Sequence, residues 1–340
     1  MFDLNKLVRP NILSLQPYSS ARDEFTGDEG IFLDANENPF GTYNRYPDPV
    51  QSKLKQRISE IKSVAPNKIF LGNGSDEIID LCFRIFCEPC KDKAVIFTPT
   101  YGMYEVSAAI NNVELIKLSL DKNFQIDVSQ ALQVLNDDSI KLIFICSPNN
   151  PTGNTIKATE YIIANFKGIV VVDEAYIDFS NDGSLNSKID KYQNLVVLQT
   201  LSKAWGMASL RIGMAFSSNN IIGLLNKVKP PYNISSVNYN TALENLSQEL
   251  FEEQKLLILS ERKRVYTALQ SLSIVTKIYP TQTNFILIET PDANAVYNKL
   301  TALGIIIRNR NKVAKNCIRI TIGNISENDA LINALQNITV

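Results

Sequence analysis

Short apolar runs alternate with amphipathic stretches through the middle of the chain. Residues 68–71 predict a strand, and a glycine-rich turn follows it. Residues 75–86 then predict a helix, because Ile78, Ile79, Cys82, Phe83 and Phe86 fall on one side at helical spacing. Further apolar runs occupy 94–97, 141–146, 169–172 and 195–199, each closed by polar or turn-forming residues. Strands alternating with helices predict an α/β unit in three αβα layers, a mostly parallel sheet with helices on both faces. The double proline Pro230-Pro231, within 227–232, marks a joint. Beyond it come a long amphipathic stretch over 236–269, a strand-like 284–288 and a helix near 293–303. Strand-like 305–307 and 318–322 follow, with a last helix from Glu327. These predict a smaller α+β unit.

Composition narrows the function mainly by exclusion. The chain carries 34 basic and 35 acidic side chains, a net charge of −1, so neither nucleic acid nor an anionic membrane is the expected partner. No apolar run is long enough to span a bilayer, and the first residues are mixed and polar, so a cytoplasmic protein is expected. The 5 cysteines are odd in number and scattered, which speaks against a disulfide framework. Cys87 and Cys90 have no second pair and no histidine beside them, so no metal is expected. The count of histidines is 0. That excludes Ser-His-Asp and Cys-His hydrolases and leaves proton transfer to Lys, Tyr, Asp, Glu or Cys. A lysine can serve near neutral pH if its pKa is lowered.

In open α/β sheets ligands bind at the carboxyl ends of strands, so the polar residues closing each run are the candidates. Gly72-Asn73-Gly74-Ser75-Asp76 lies between strand and helix, and the free N–H groups there could take a phosphate; a plain turn with Ser75 as N-cap is the other reading. Asn150 sits in Asn150-Pro151-Thr152-Gly153, as an amide donor on a proline-stiffened loop or as an ordinary turn. Asp173 ends an apolar run, with Tyr176 three residues on. A buried carboxylate needs a partner, either a protonated pyridine nitrogen or a structural donor. Thr200, Ser202 and Lys203 close the next run, and Arg211 lies eight residues beyond the lysine. Hydroxyls, a lysine and an arginine together suit a phosphate ester and a reactive carbonyl. Each motif alone is weak; their order along one chain is specific.

With these motifs the chain resembles the fold-type I, pyridoxal-phosphate (PLP)-dependent aminotransferases of class I and II. Asp34-Ala35-Asn36-Glu37-Asn38-Pro39, Asn44-Arg45-Tyr46-Pro47 and Pro99-Thr100-Tyr101-Gly102-Met103-Tyr104 resemble the histidinol-phosphate aminotransferase subfamily. The resemblance implies PLP as cofactor, bound covalently by Lys203, with Asp173 on the pyridine nitrogen and Tyr176 and Asn150 on the ring oxygen. Tyr101 would stack on the ring. Ser75, Asp76, Thr200, Ser202 and Arg211 would hold the phosphate, joined by Tyr46 from the neighbouring subunit of a homodimer with shared sites. Arg319, assisted by Arg308, Tyr18 and Asn150, would bind the substrate's acidic end: a phosphorylated amino alcohol or glutamate and 2-oxoglutarate. An aromatic aminotransferase and a threonine-phosphate decarboxylase are alternatives with the same implied site. A non-catalytic PLP sensor would need a DNA-binding module, for which the motifs starting by residue 34 leave no room. The implied division is an arm over 1–33 packing with the small unit, a large PLP-binding unit over 34–232, and a small unit over 233–340.

Overall fold

The computed structural model describes residues 2–18 and 30–338. In chain order its elements are α1 (Pro10–Ser14), α2 (Ser52–Lys62), β1 (Ile69–Asn73), α3 (Ser75–Phe86), β2 (Lys93–Thr98), α4 (Met103–Ile110), β3 (Glu114–Ser119), α5 (Val128–Val134), β4 (Ile140–Cys146), α6 (Thr159–Asn165), β5 (Ile169–Asp173), β6 (Leu195–Thr200), β7 (Ile212–Ser217) and α7 (Asn219–Val228). There follow α8 (Ser236–Asn245), α9 (Gln248–Gln270), β8 (Lys277–Ile278), β9 (Phe285–Glu289), α10 (Ala293–Ala302), β10 (Arg308–Asn309), β11 (Cys317–Thr321) and α11 (Ile325–Gln336).

The first seven strands form one sheet in the order β1-β7-β6-β5-β4-β2-β3. All neighbours are parallel except β7, which runs antiparallel to both β1 and β6. Strands β5 and β6 are buried along their whole length, which is why their sequences are continuous apolar runs rather than alternating ones. One core lies on each face of the sheet: Ile143, Val170 and Val197 belong to one, Phe144, Val171 and Val196 to the other. The remaining strands form an antiparallel sheet in the order β10-β11-β9-β8, with its own core around Ile286, Ile318 and Val265.

The registry aligns the ends that matter. Cys146 of β4 pairs with Asp173 of β5, and Asp173 with Leu198 of β6. The loops after these adjacent strands therefore open at one level, and they carry Asn150, Asp173 with Tyr176, and Lys203.

Several expectations need correction. Strand β7 breaks the helix–strand alternation; it lies antiparallel between β1 and β6, so its direction is set by partners distant in sequence. The amphipathic stretch 236–269 is two helices, because Ser247 interrupts it and caps α9 by accepting from the Leu250 N–H. Residues 305–307 form no strand; Ile306 points to solvent, and pairing begins only at Arg308 opposite Arg319. The last helix starts at Ile325, two residues early, because Asn324 and Glu327 form a reciprocal capping box. Residues 2–18 pack on the large unit, not the small one. Val8 and Ile12 join the core containing Phe83 and Phe86, and Arg9 pairs with Glu88 at 3.1 Å. The large unit's core also runs past residue 232, taking in Ile234, Tyr239, Ala242, Leu246 and Phe251. Val265 and Leu269, at the other end of α9, belong to the small core, so the change of unit falls inside that helix. Residues 19–29 of the expected arm lie outside the described residues.

Candidate active site

A cleft of about 1070 Å³ lies between the strand ends of the large sheet and the small sheet. Of the residues singled out from sequence, Ser75, Asp76, Tyr101, Asn150, Asp173, Tyr176, Thr200, Ser202, Lys203, Arg211, Arg308 and Arg319 line it. Tyr46 and Tyr18 do not. Tyr46 is 49% exposed and stacks on Tyr232, while Tyr18 is 71% exposed.

One end of the cleft is built for an anion. Helix α3 is preceded by Gly74, at a φ of +76° and with no side chain to cap it, so its first N–H groups are left open. The alternative reading of Ser75 as the cap is thereby corrected: Gly74 is the N-cap and Ser75 the first helical residue. Strand β7 passes very close here. A Cβ on Gly213 would lie 2.3 Å from the Ser75 nitrogen, so only glycine fits. That approach brings Arg211 to the helix start. Its carbonyl accepts from the Gly74 N–H at 2.6 Å, and its guanidinium pairs with Asp76 at 3.5 Å. Tyr101 donates to the other Asp76 oxygen at 3.0 Å. Thr200 donates to the Ile212 carbonyl and accepts from the Ser202 N–H, which shapes the turn leading to Lys203.

The floor is a buried carboxylate. Asp173 is 3% exposed and forms no ion pair among the described residues. Tyr104 donates to its Oδ2 at 2.7 Å and the Ala175 N–H to its Oδ1 at 3.0 Å. Burial pushes the Asp173 pKa up; the Tyr104 hydrogen bond opposes this. Tyr104 is itself fully buried and stacked on Phe144, and burial raises its pKa well above the usual phenol value, so it remains a donor. Sequence reasoning missed this role. The available signal was that Tyr104 closes the stretch 99–104; its ring meets that of Tyr101 edge-on at 5.6 Å.

Lys203 Nζ stands 5.7 Å from the centroid of the Tyr176 ring. Its pKa is lowered, first by burial and then by Arg319, against the raising effect of Asp173. Arg319 donates to Asn150 Oδ1 at 2.6 Å and lies over the Phe285 ring at 4.9 Å. The Asn150 loop is tied down by Asn149, whose amide donates to Pro99 O and Thr152 Oγ1. It meets the small unit where the Gln282 N–H donates to Gly153 O at 2.7 Å. Arg310 also lines the cleft and was not singled out from sequence; alternation with Arg308 in Arg308-Asn309-Arg310 was the available signal. No group of three or more Cys, Asp or Glu among the described residues is placed to hold a metal.

Glu174, next to Asp173, is buried in a separate polar pocket. It accepts from the Leu185 N–H at 2.8 Å, from Gln199 at 3.0 Å and from Ser184. Burial pushes its pKa up from 4.5 to about 7. Gln199 Oε1 is buried there without a partner, and an amide flip would let a protonated Glu174 donate to it. The native state then holds a proton that the unfolded chain has lost between pH 4.5 and about 7. The stabilisation is complete below the unfolded pKa and is lost as pH rises through the folded one. Thermal melts across this window should show stability falling with rising pH, and Glu174→Gln should flatten that slope.

A parallel-sheet unit that presents a partly desolvated lysine, a buried carboxylate and an anion cradle at its strand ends, faced by arginines of a smaller unit, defines an aminotransferase-type enzyme. The chain belongs to the family "Aminotransferase class I and II", which matches residues 27–335. It is 52% identical over 343 residues to the histidinol-phosphate aminotransferase of Parabacteroides distasonis, covering 99% of each chain. It is 48% identical over 342 residues to that of Flavobacterium psychrophilum, covering 98% of this chain and 99% of the other. Among solved structures, the histidinol-phosphate aminotransferase of Clostridium acetobutylicum superposes with a TM-score of 0.78 at 25% identity, covering 86% of this chain and 90% of that one. The Sinorhizobium meliloti enzyme, in complex with pyridoxal-5'-phosphate, gives a TM-score of 0.77 at 24% identity, with 86% and 82% covered.

Proposed function

We propose that this protein is a cytoplasmic, homodimeric PLP enzyme that transfers the amino group of L-histidinol phosphate to 2-oxoglutarate, giving imidazole-acetol phosphate and L-glutamate. The observation that carries the substrate is the 52% identity over 99% of both chains to a histidinol-phosphate aminotransferase.

The residues present fit the cofactor on two counts. The uncapped start of α3, closed by Arg211 and held tight by Gly213, is a phosphate-sized cradle. The Asp173 carboxylate has only neutral hydrogen-bond donors, which suits a protonated ring nitrogen as its counter-charge. PLP, when bound, supplies an electron sink that lets the carbon bearing the substrate's amine lose its proton. Asp173 holds the proton on the ring nitrogen that makes this possible. Tyr101 would cover the ring face, and Tyr176 and the Asn150 amide would donate to the ring oxygen. Lys203 would anchor the cofactor, and its Nζ, when free, would be the base that takes the proton from the substrate carbon. Its lowered pKa suits it to be an uncharged base below the pH where free lysine deprotonates. Arg319 fixes the acidic end of the substrate through its planar fork. A second pass with 2-oxoglutarate returns the amino group in reverse.

Three observations support the dimer and its location. Tyr46 lies outside its own chain's cleft. The same stretch exposes Ile31 (93%), Leu33 (89%) and Phe40 (82%), apolar surface that a second subunit would cover. Among the described residues, no helix is long and apolar enough to cross a membrane.

The test is spectroscopic. The purified holoenzyme should lose its long-wavelength cofactor band on adding L-histidinol phosphate and recover it with 2-oxoglutarate. A band that ignores histidinol phosphate but responds to an aromatic amino acid would replace the substrate. Release of carbon dioxide from a phosphorylated amino acid would make the enzyme a decarboxylase.

A further inference from the structure

The wall that the small unit gives to the cleft carries three arginines: Arg308, Arg310 and Arg319. Arg308 and Arg319 face each other across the β10–β11 pair. Arg310 lies just past the end of β10, and both it and Arg308 line the cleft. Its backbone is fixed by three hydrogen bonds. The N–H donates to Cys317 O at 2.9 Å, and the carbonyl accepts from Val313 at 2.9 Å and Ala314 at 2.8 Å. The side chain therefore starts from a rigid point.

What the three guanidinium groups lack is a counter-charge. Among the described residues none of them pairs with a carboxylate, and Arg319 has only the neutral Asn150 amide as a side-chain acceptor. The Nε atoms of Arg310 and Arg319 are both buried without a hydrogen-bond partner. Burial, then Arg319, then Arg308 lower the Arg310 pKa, but a guanidinium stays charged at working pH. Gathering like charges and leaving their donors unpaired is costly unless an anion completes the group. A carboxylate carries one charge and is matched by a single planar fork. A phosphate monoester carries about −1.5 to −2 charges near neutral pH and three acceptor oxygens, enough to occupy more than one guanidinium.

We propose that Arg310 is a specificity-determining residue: with Arg308 and Arg319 it grips the phosphate monoester of the amine substrate, and it contributes little to binding of the dicarboxylate. This rests on the reading above that the two substrates share one cleft and differ in their acidic ends. Arg319 serves both substrates; Arg310 serves one.

The experiment compares the wild-type holoenzyme with Arg310→Gln and Arg310→Lys. Each half-reaction is followed by the cofactor spectrum, with L-histidinol phosphate and with L-glutamate. The same holoenzymes, in which PLP already fills the cradle at α3, are titrated calorimetrically with inorganic phosphate. Arg310→Gln is expected to weaken histidinol phosphate and inorganic phosphate by roughly tenfold to a hundredfold, the effect of losing one charge-assisted contact. Its limiting rates and its glutamate affinity should stay within about threefold of wild type, and Arg310→Lys should recover part of the loss because it restores a point charge. Equal losses for both substrates, or a Gln variant that binds phosphate as wild type does, would overturn the proposal. If the wild type ignores histidinol phosphate, the substrate reading fails on its own, and the phosphate titration still decides the role of Arg310.

Discussion

Lys203→Ala is expected to reduce turnover by roughly ten-thousand-fold or more, because in the proposed mechanism one residue supplies both the covalent anchor and the proton carrier. The chain has 0 histidines, so no imidazole can take over the proton. Two other candidates in the cleft are poor substitutes. Burial raises the pKa of Tyr176, and the Asp173 carboxylate is engaged by Tyr104 and the Ala175 N–H. Two measurements check the expectation. Borohydride treatment followed by peptide mapping should fix the cofactor on the Lys203 peptide of the wild type and nowhere on the variant. Added primary amines should restore part of the proton-transfer rate to Lys203→Ala, since they replace a base but not an anchor. A variant that turned over at the wild-type rate would remove Lys203 from the mechanism.

How much of this could be read from the chain depends on whether the information is local. The loops carrying Asn150, Asp173 and Lys203 follow strands whose apolar runs are unmistakable, and a strand's end is marked where polar residues begin. The registry of three adjacent parallel strands then brings those ends together. Strand β3 was missed because it lies at the sheet edge with most of its residues partly exposed, so no continuous apolar run marks it. Strand β7 was missed because Ile212-Gly213-Met214-Ala215-Phe216-Ser217 has a glycine at its second position, which weakens any strand signal. That glycine is required by the start of α3, far away in sequence. Tyr104 and Arg310 were missed for the same reason. Each acquires its role from a residue on another element, Asp173 or Arg319; Tyr104 lies in the stretch 99–104, but that stretch does not say which carboxylate its hydroxyl meets. The path of residues 2–18 shows the limit most directly: Val8 and Ile12 are two apolar side chains, and nothing local says which core will take them.

Asp173→Asn should cost about a thousand-fold in turnover, the scale on which one preorganised charge contributes to a buried site. Asparagine keeps the shape: with its oxygen accepting from the Ala175 N–H, its NH2 faces the Tyr104 hydroxyl, which can turn to accept, so a loss of this size would come from the missing charge rather than from collapse of the site. Tyr104→Phe makes the complementary cut. It keeps the charge and removes the 2.7 Å hydrogen bond that holds Asp173 Oδ2. Losing one hydrogen bond to a charged group predicts a reduction of roughly tenfold to a hundredfold, so the two variants should rank with Asp173→Asn the more damaged. The pH dependence separates this role from simple packing. Burial already raises the Asp173 pKa, and the Tyr104 hydrogen bond pulls it down. Deleting the hydroxyl must therefore let the pKa rise further, so protonation of Asp173 begins at a higher pH. The acid limb of the rate profile should move upward in Tyr104→Phe, and cofactor retention during dialysis should fall first on the acid side. A Tyr104→Phe enzyme that was merely less stable, with an unmoved acid limb, would show that Tyr104 fills space beside Asp173 without tuning it.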